Sequence, residues 1–339
     1  MTSPAVVGDK RPMPQLTGLS LADAQRYGRQ FGLDVTAVDP LDAGSVNSNF
    51  RLRCSGALRV FARIYEEQGA AGARAELQLL CELAALGLPT TLPLRRPEGD
   101  PLVLHAGKPL SFYPWIDGLH LCNAWVSESK ARVLGQTLAR VHLASEQLSN
   151  VPEGRFGVND LFTRLETIEA SGPRFAADVK HIRERLTLTL AKRSTGLPSG
   201  LIHGDLFRDN VLWKPLGALG PGATPSDEIA ALLDFESACY GAFVYDLMVC
   251  VLSWCYLGEL AQEKARAMIA GYQSVRALTA LELEHLPIEG AVACLRFATT
   301  RITDFAMRTP EGQQPARDYR RFLKRLAELE AGVLAGVLS

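Results

Sequence analysis

The chain has 339 residues, more than one ordinary hydrophobic core holds, so two domains or lobes are expected. A hydrophobic share of 47% is that of a globular protein, and a net charge of −1 supplies no global field for collecting nucleic acid or an anionic membrane. Any anion site must then be local, and the expected partner is a small molecule, with neither nucleic acid nor membrane involved.

Met1 to Gly18 mixes polar residues and prolines without a continuous apolar segment, so a short disordered tail is expected there and neither a secretory signal nor an anchor. A small β-rich lobe is read over residues 19–116. Phe50, Leu52 and Cys54 alternate with Arg51 and Arg53, and a Ser55-Gly56 turn leads into a second alternating run. In that run Leu58, Val60, Ala62 and Ile64 share one face, and Arg59, Phe61, Arg63 and Tyr65 share the other. Leucines at 77, 79, 80, 83 and 86 predict a helix over Arg74 to Leu86, ended by Gly87 and Pro89. Leu102 to Leu104 and Pro109 to Tyr113 flank Ala106-Gly107-Lys108 as a hairpin, and Pro114 to Gly118 reads as the connector out of the lobe.

Residues 117–339 read as mostly helical. Ser127 is a plausible N-cap, with Leu134, Leu138 and Val141 on one helical face. Ala242 to Leu257 is strongly apolar but contains Asp246 and is short for a bilayer, so it is read as a buried helix. Pro215 to Pro225 is rich in glycine and proline and suits a long hairpin tip or, alternatively, a lid. The seven cysteines, at 54, 81, 122, 239, 250, 255 and 294, are odd in number and form no CxxC pair. That argues against a disulfide framework or a zinc site and for reduced thiols in the cytoplasm.

The densest chemistry lies in His203-Gly204-Asp205-Leu206-Phe207-Arg208-Asp209-Asn210, followed by Asp234-Phe235-Glu236. Apolar strand-like runs frame both pieces: Gly200-Leu201-Ile202, Val211-Leu212-Trp213, and Ile229 to Leu233. An Asp with an Asn five positions later lets one irregular loop present a base and a metal ligand together, and a following hairpin returns a second Asp. That is the layout phosphoryl transfer needs. An ordinary surface turn would use the same residue types, since Asp and Asn favour turns and caps.

On these residues the chain resembles the aminoglycoside phosphotransferase and choline kinase superfamily. It looks most like the homoserine kinases, through Gly44 to Phe50, His203 to Asn210, Asp234 to Cys239, Tyr245 to Leu247, Ser253 to Cys255, and Leu295 to Arg301 with Asp304. The resemblance spans residues 40 to 325. It implies an α+β, bilobal protein-kinase-like fold: a small N-terminal antiparallel sheet with one helix, and a larger, mostly helical C-terminal lobe.

It also implies ATP and Mg²⁺. Asp205 would be the catalytic base, with Asn210 and Asp234 as metal ligands and His203 and Asp246 as supports of the loop. Gly44, Ser45, Asn47 and Ser48 would cap the phosphates. Arg63 would replace the third-strand lysine, held by Glu76, because Lys10 and Lys108 are the only lysines before the connector. Adenine would lie near the backbone of Phe112 to Trp115, Tyr113 and Trp115 included, with Phe61 and Leu212 beside it. Arg208, Glu236, Tyr240, Arg296, Arg301 and Asp304 are the candidates for an amino-acid acceptor. Arg301 and Asp304, three positions apart on one helix, can share a face. Three readings stand: homoserine O-phosphorylation, another small-alcohol kinase acting on choline, ethanolamine, an aminoglycoside or a sugar, and a non-catalytic nucleotide-binding module. Oligomeric state is left open.

Overall fold

Alternation in the first third of the chain becomes a five-stranded antiparallel sheet. The structure is a computed structural model describing residues 17–41, 47–154, 157–220 and 222–338. Helix α1 (Leu21–Gly28) precedes strands β1 (Val35–Leu41), β2 (Ser48–Cys54) and β3 (Arg59–Ile64). Helix α2 (Ala70–Ala85) follows, and then the hairpin of β4 (Leu102–His105) and β5 (Lys108–Pro114). The strand order is β1-β2-β3-β5-β4. One face is apolar: Leu52, Val60, Ala62, Ile64, Leu110 and Phe112 are fully or almost fully buried in a cluster with α1. The other face carries Asn49, Arg63 and Ser111 in register across β2, β3 and β5.

Two details differ from the sequence expectation. Leu58 is 49% exposed, because the Ser55–Ala57 turn, with Gly56 and Ala57 at positive φ, ends just before the strand proper begins at Arg59. The helix expected to begin at Arg74 begins at Ala70, one turn earlier. The chain divides into two units, residues 1–74 with 93–115, and residues 75–92 with 116–339, so most of α2 clusters with the second.

The second unit is built from helices α3 (Glu128–Ala144), α4 (Val158–Ala170), α5 (Ala176–Leu190), α6 (Phe243–Trp254), α7 (Gln262–Gln273), α8 (Ala280–Asp304), α9 (Arg320–Glu330) and α10 (Ala335–Leu338). Between α5 and α6 lie four short strands: β6 (Ser199–Ile202), β7 (Val211–Leu216), β8 (Thr224–Leu232) and β9 (Cys239–Ala242). They pair antiparallel as β6 with β9 and β7 with β8. The sheet unit followed by a larger helical unit is the α+β architecture read from the sequence.

Ser127 caps α3, its Oγ accepting from the Lys130 N–H at 3.2 Å, a bond worth about 1 kcal/mol. Helices α3 and α7 pack backbone to backbone, since a Cβ on Gly135 would stand 2.1 Å from the Met268 carbonyl oxygen. Helix α6 is buried along nearly its whole length, Asp246 included. Among the described residues no helix is long and apolar enough to cross a membrane.

Candidate active site

Strand β6 delivers the chain into the His203–Asn210 loop, and the loop is fastened from below by one carboxylate. Asp246, fully buried on α6, accepts the N–H of His203 at 2.7 Å and that of Gly204 at 2.9 Å. Burial works against its ionised form, but the hydrogen bonds from His142 and the His203 N–H hold its pKa below the usual carboxylate value. His203 is fully buried, and burial pushes it below the ordinary 6.5. Its Nδ1 accepts the Asp205 N–H at 3.3 Å, so Nε2 carries the proton and donates to the Leu233 carbonyl at 2.9 Å. Trp254 Nε1 donates to the Leu206 carbonyl at 2.8 Å. The loop is thus held by backbone bonds that leave the Asp205 carboxylate available.

The two halves of the motif are laced together. Asn210 Nδ2 donates to the Asp205 carbonyl at 2.7 Å, and the Leu233 N–H donates to the Asn210 carbonyl at 2.9 Å, which sets Asp234 beside the loop. Asn210 commits its amide nitrogen, so its Oδ1 is the atom left for a cation. Asp234 sits in the left-handed region at φ 63°, ψ 65°, a conformation that non-glycine residues adopt rarely and that concentrates at functional sites. Burial raises the Asp205 pKa to about 7; Arg296 opposes this, and the charges of Asp234 and Asp209 add to it. About 30% of the Asp205 side chain is nevertheless exposed, so a reactant can reach it.

Helix α8 brings Arg296 to this carboxylate, with Nη1 3.5 Å from Asp205 Oδ1 and 3.3 Å from the Gly204 carbonyl and the guanidinium 4.0 Å from the Phe297 ring centre. Arg301 lies one and a half turns further on, 4.5 Å from the Phe322 ring centre and bonded to the Asp318 carbonyl at 3.3 Å. Burial, reinforced by Arg317 and Arg325, pushes its pKa down to about 10. Asp304 goes elsewhere: it pairs with Arg164 of α4 at 2.8 Å, so Arg301 and Asp304 reach for different neighbours. Arg208 is hydrogen-bonded to Asn123, and Glu236 lies partly buried on the Phe235–Ser237 turn. Tyr240 is 63% exposed.

In the sheet unit, Gly44 and Ser45 lie outside the described residues. Asn47 Oδ1 accepts the Glu66 N–H at 3.2 Å, and Ser48 donates to the Glu66 carboxylate, which also takes the Thr17 N–H and the Lys108 ammonium. Lys108 is thereby spoken for. Arg63 Nε donates to Asn49 Oδ1 at 3.3 Å, with its guanidinium 5.8 Å from the Phe61 ring centre. The Tyr113 and Tyr65 hydroxyls meet at 2.8 Å, and Trp115 has the guanidiniums of Arg51 and Arg59 each 5.9 Å from its ring centre. Glu76 is buried on α2.

Sequence reasoning missed three contributors. His142 stands 3.2 Å from Asp246, Asn123 holds Arg208, and Arg317 pairs with Asp209 at 2.7 Å. Each comes from a segment remote from the loop, and nothing local marks it; only a fixed three-dimensional neighbour does.

A family model described as "Phosphotransferase enzyme family" matches residues 37–278. A homoserine kinase of Rhizobium etli (strain CIAT 652) is 32% identical over 290 residues, covering 84% of this chain and 85% of the relative. A homoserine kinase of Agrobacterium fabrum is 34% identical over 242 residues, 70% of each. Among solved structures, an amicoumacin kinase in complex with AMP-PNP, Ca²⁺ and Ami superposes with a TM-score of 0.69 at 17% identity, covering 91% of this chain and 94% of that one. An aminoglycoside phosphotransferase from Alicyclobacillus acidocaldarius gives 0.60 at 15% identity, covering 91% and 93%. At those identities the structures speak for the fold.

Proposed function

This chain belongs to the phosphotransferase enzyme family, and we propose that within it the protein moves the γ-phosphoryl of ATP to the side-chain hydroxyl of L-homoserine, giving O-phospho-L-homoserine for threonine synthesis. ATP-dependent transfer to an alcohol follows from the family and its relatives. The acceptor rests on one observation: a guanidinium stands 3.5 Å from the Asp205 carboxylate, with a second on the same helix, beside the group that must meet the hydroxyl. A carboxylate-bearing acceptor uses such cations, whereas a polycationic or quaternary-ammonium acceptor is repelled by them. The homoserine kinase relatives point the same way.

In this reading Asp205 accepts the hydrogen bond of the acceptor hydroxyl and aligns its oxygen with the γ-phosphorus, a task that is mostly positioning. Arg296 and Arg301 supply positive charge for the acceptor carboxylate, with Arg208 beside them, and Glu236 is the carboxylate for the ammonium. Asp304, paired with Arg164, ties the end of α8 to α4. Arg63, Asn47, Ser48 and the loop before them serve the phosphates. Tyr113 and Trp115 serve the base.

The donor set suits Mg²⁺. Asp234 and the free amide oxygen of Asn210 are hard oxygen ligands, and a nucleotide-bound magnesium takes one or two such groups, the rest coming from phosphate and water. Among the described residues no group of three or more His, Cys, Asp or Glu gathers to make an all-protein cage, in keeping with that division. When bound, the cation would neutralise charge developing on the phosphates. Seven thiols, all free, suit a reducing cytoplasm.

The test is coupled ADP release with L-homoserine, choline and kanamycin, each with and without Mg²⁺. Turnover confined to L-homoserine and dependent on Mg²⁺ is the expected result. Preference for either of the other alcohols rejects the acceptor, and no turnover with any rejects catalysis of this kind.

A further inference from the structure

Beside the acceptor site, α8 and α9 assemble more positive charge than the surrounding acids neutralise. Phe207 of the catalytic loop packs edge-on against Phe297 of α8 with ring centres 4.8 Å apart, and Phe297 stacks on Phe322 of α9 at 5.1 Å. This aromatic column ties the loop to α9. Two guanidiniums pack against its fully buried last ring, Arg301 at 4.5 Å and Arg325 at 4.6 Å from the Phe322 centre. Arg321 lies one turn before Arg325 on the same helix and acts electrostatically on both.

Two of the nearby acids are already engaged, and Glu328 keeps a buried Oε2 without a hydrogen-bond partner among the described residues. Asp209 pairs with Arg317 at 2.7 Å, Asp318 with Arg320 at 3.7 Å, and Glu328 with Lys324 at 3.6 Å. Among the described residues no carboxylate pairs with Arg301, Arg321 or Arg325. Burial and mutual repulsion disfavour the charged form of Arg301, and Arg325 is disfavoured by burial and by Arg321 and Arg208. Partly buried like charges kept together without counter-ions are costly unless an anion joins them.

Resting on the homoserine reading, we infer that Arg301, Arg321 and Arg325 form an anion subsite on the α8–α9 face that takes the carboxylate of the acceptor. Arg296, whose guanidinium is on Asp205 and the Gly204 carbonyl, adds its charge from the Asp205 side. The fork geometry of arginine suits a planar carboxylate, and stacking on Phe322 keeps two forks fixed before the ligand arrives.

The test uses the full chain with Arg321→Gln and Arg325→Gln separately. Arg321 is exposed, so its variant tests charge without disturbing the core. Initial rates are compared for L-homoserine and for 3-aminopropan-1-ol, which keeps the hydroxyl and ammonium and lacks the carboxylate. Each variant is expected to raise the KM for L-homoserine about tenfold with kcat within about twofold, to leave the KM for ATP and the kcat/KM for 3-aminopropan-1-ol unchanged, and to recover in part in Arg325→Lys. Unchanged L-homoserine kinetics in both variants, or equal losses on both alcohols, overturn the subsite. Calorimetric titration with 4-hydroxybutanoate separates this inference from the one beneath it. If L-homoserine is not turned over but the wild-type chain binds 4-hydroxybutanoate and both variants lose that binding, the subsite stands and the acceptor falls. A wild-type chain that binds neither L-homoserine nor 4-hydroxybutanoate refutes the subsite.

Discussion

Nε2 of His142 lies 3.2 Å from Oδ2 of Asp246, and neither side chain has exposed surface. The histidine accepts nothing from Asp246, which is acceptor-only when ionised, so Nε2 carries the proton and Nδ1 faces the Tyr272 hydroxyl at 2.7 Å. Arg276 reaches the same hydroxyl at 3.2 Å and Glu282 at 2.8 Å, so a buried polar chain runs from the catalytic loop to the N-terminus of α8. Burial pushes His142 below its ordinary 6.5 although Asp246 opposes it, and His203 is pushed the same way.

That direction fixes how stability follows pH. Below 6.5 the unfolded chain takes up protons on these two histidines that the folded chain does not, so stability falls as pH drops through that value. Asp246, held low, adds a further loss below its ordinary 3.8. Thermal melts at fixed ionic strength should show Tm falling between about pH 7 and pH 5, with a shallower slope in His142→Asn. A Tm flat across that window contradicts neutral, buried histidines.

Gly204 separates backbone strain from contact. Its φ of 73° belongs to the left-handed region, and a Cβ there would stand 2.9 Å from the Ser237 carbonyl oxygen. Gly107 has a similar φ of 78° and nothing within 4 Å of its added Cβ. Gly107→Ala should therefore cost only the conformational penalty, about 1 kcal/mol. Gly204→Ala should cost more and lower kcat, because the shift is passed to Asp205 next door. Chemical denaturation with parallel rate measurements checks both, and equal losses at the two positions contradict the contact.

Asp205→Asn should fold normally, since the loop is fixed by backbone bonds of His203, Gly204 and Leu206 rather than by the Asp205 carboxylate. Turnover should fall by roughly 10²–10⁴, with nucleotide affinity nearly unchanged. Single-turnover rates alongside equilibrium binding of a non-hydrolysable ATP analogue make the comparison. Near-normal turnover removes Asp205 from its role.

Most of the loop geometry was legible because short-range spacing encodes it: Asp205 and Asn210 belong to one loop, and alternation marks β3 and its buried Val60, Ala62 and Ile64. Asp246 was legible as a carboxylate inside an apolar run, which must be satisfied. The helix bearing Arg301 and Asp304 was also legible, but not the partners, since helical spacing says which residues are near each other and not what packs opposite. Arg164 comes from α4 and Phe322 from α9, and both associations depend on tertiary contacts between segments with independent patterns. For the same reason the arginines of α9 were not singled out in the sequence, since only packing brings Arg325 and Arg301 onto the same Phe322 ring.

The missing third-strand lysine yields the last prediction. Two cations in the sheet unit compete for its task, Arg63 on β3 and Lys108 at the start of β5. Lys108 is bound to the Glu66 carboxylate, together with Thr17 and Ser48, and burial of that acid makes the pair hard to part. Arg63 donates its Nε–H to Asn49 Oδ1 at 3.3 Å, on the polar face of the sheet shared with Ser111. A buried carboxylate suits a cation meant for structure, which leaves the strand arginine, with its two-pronged guanidinium, for the phosphate. Arg63→Ala should then weaken ATP binding about tenfold. Lys108→Ala should lower Tm and leave ATP binding intact. Binding titrations and melts on the two variants decide the matter, and the reverse pattern would assign the phosphate to Lys108.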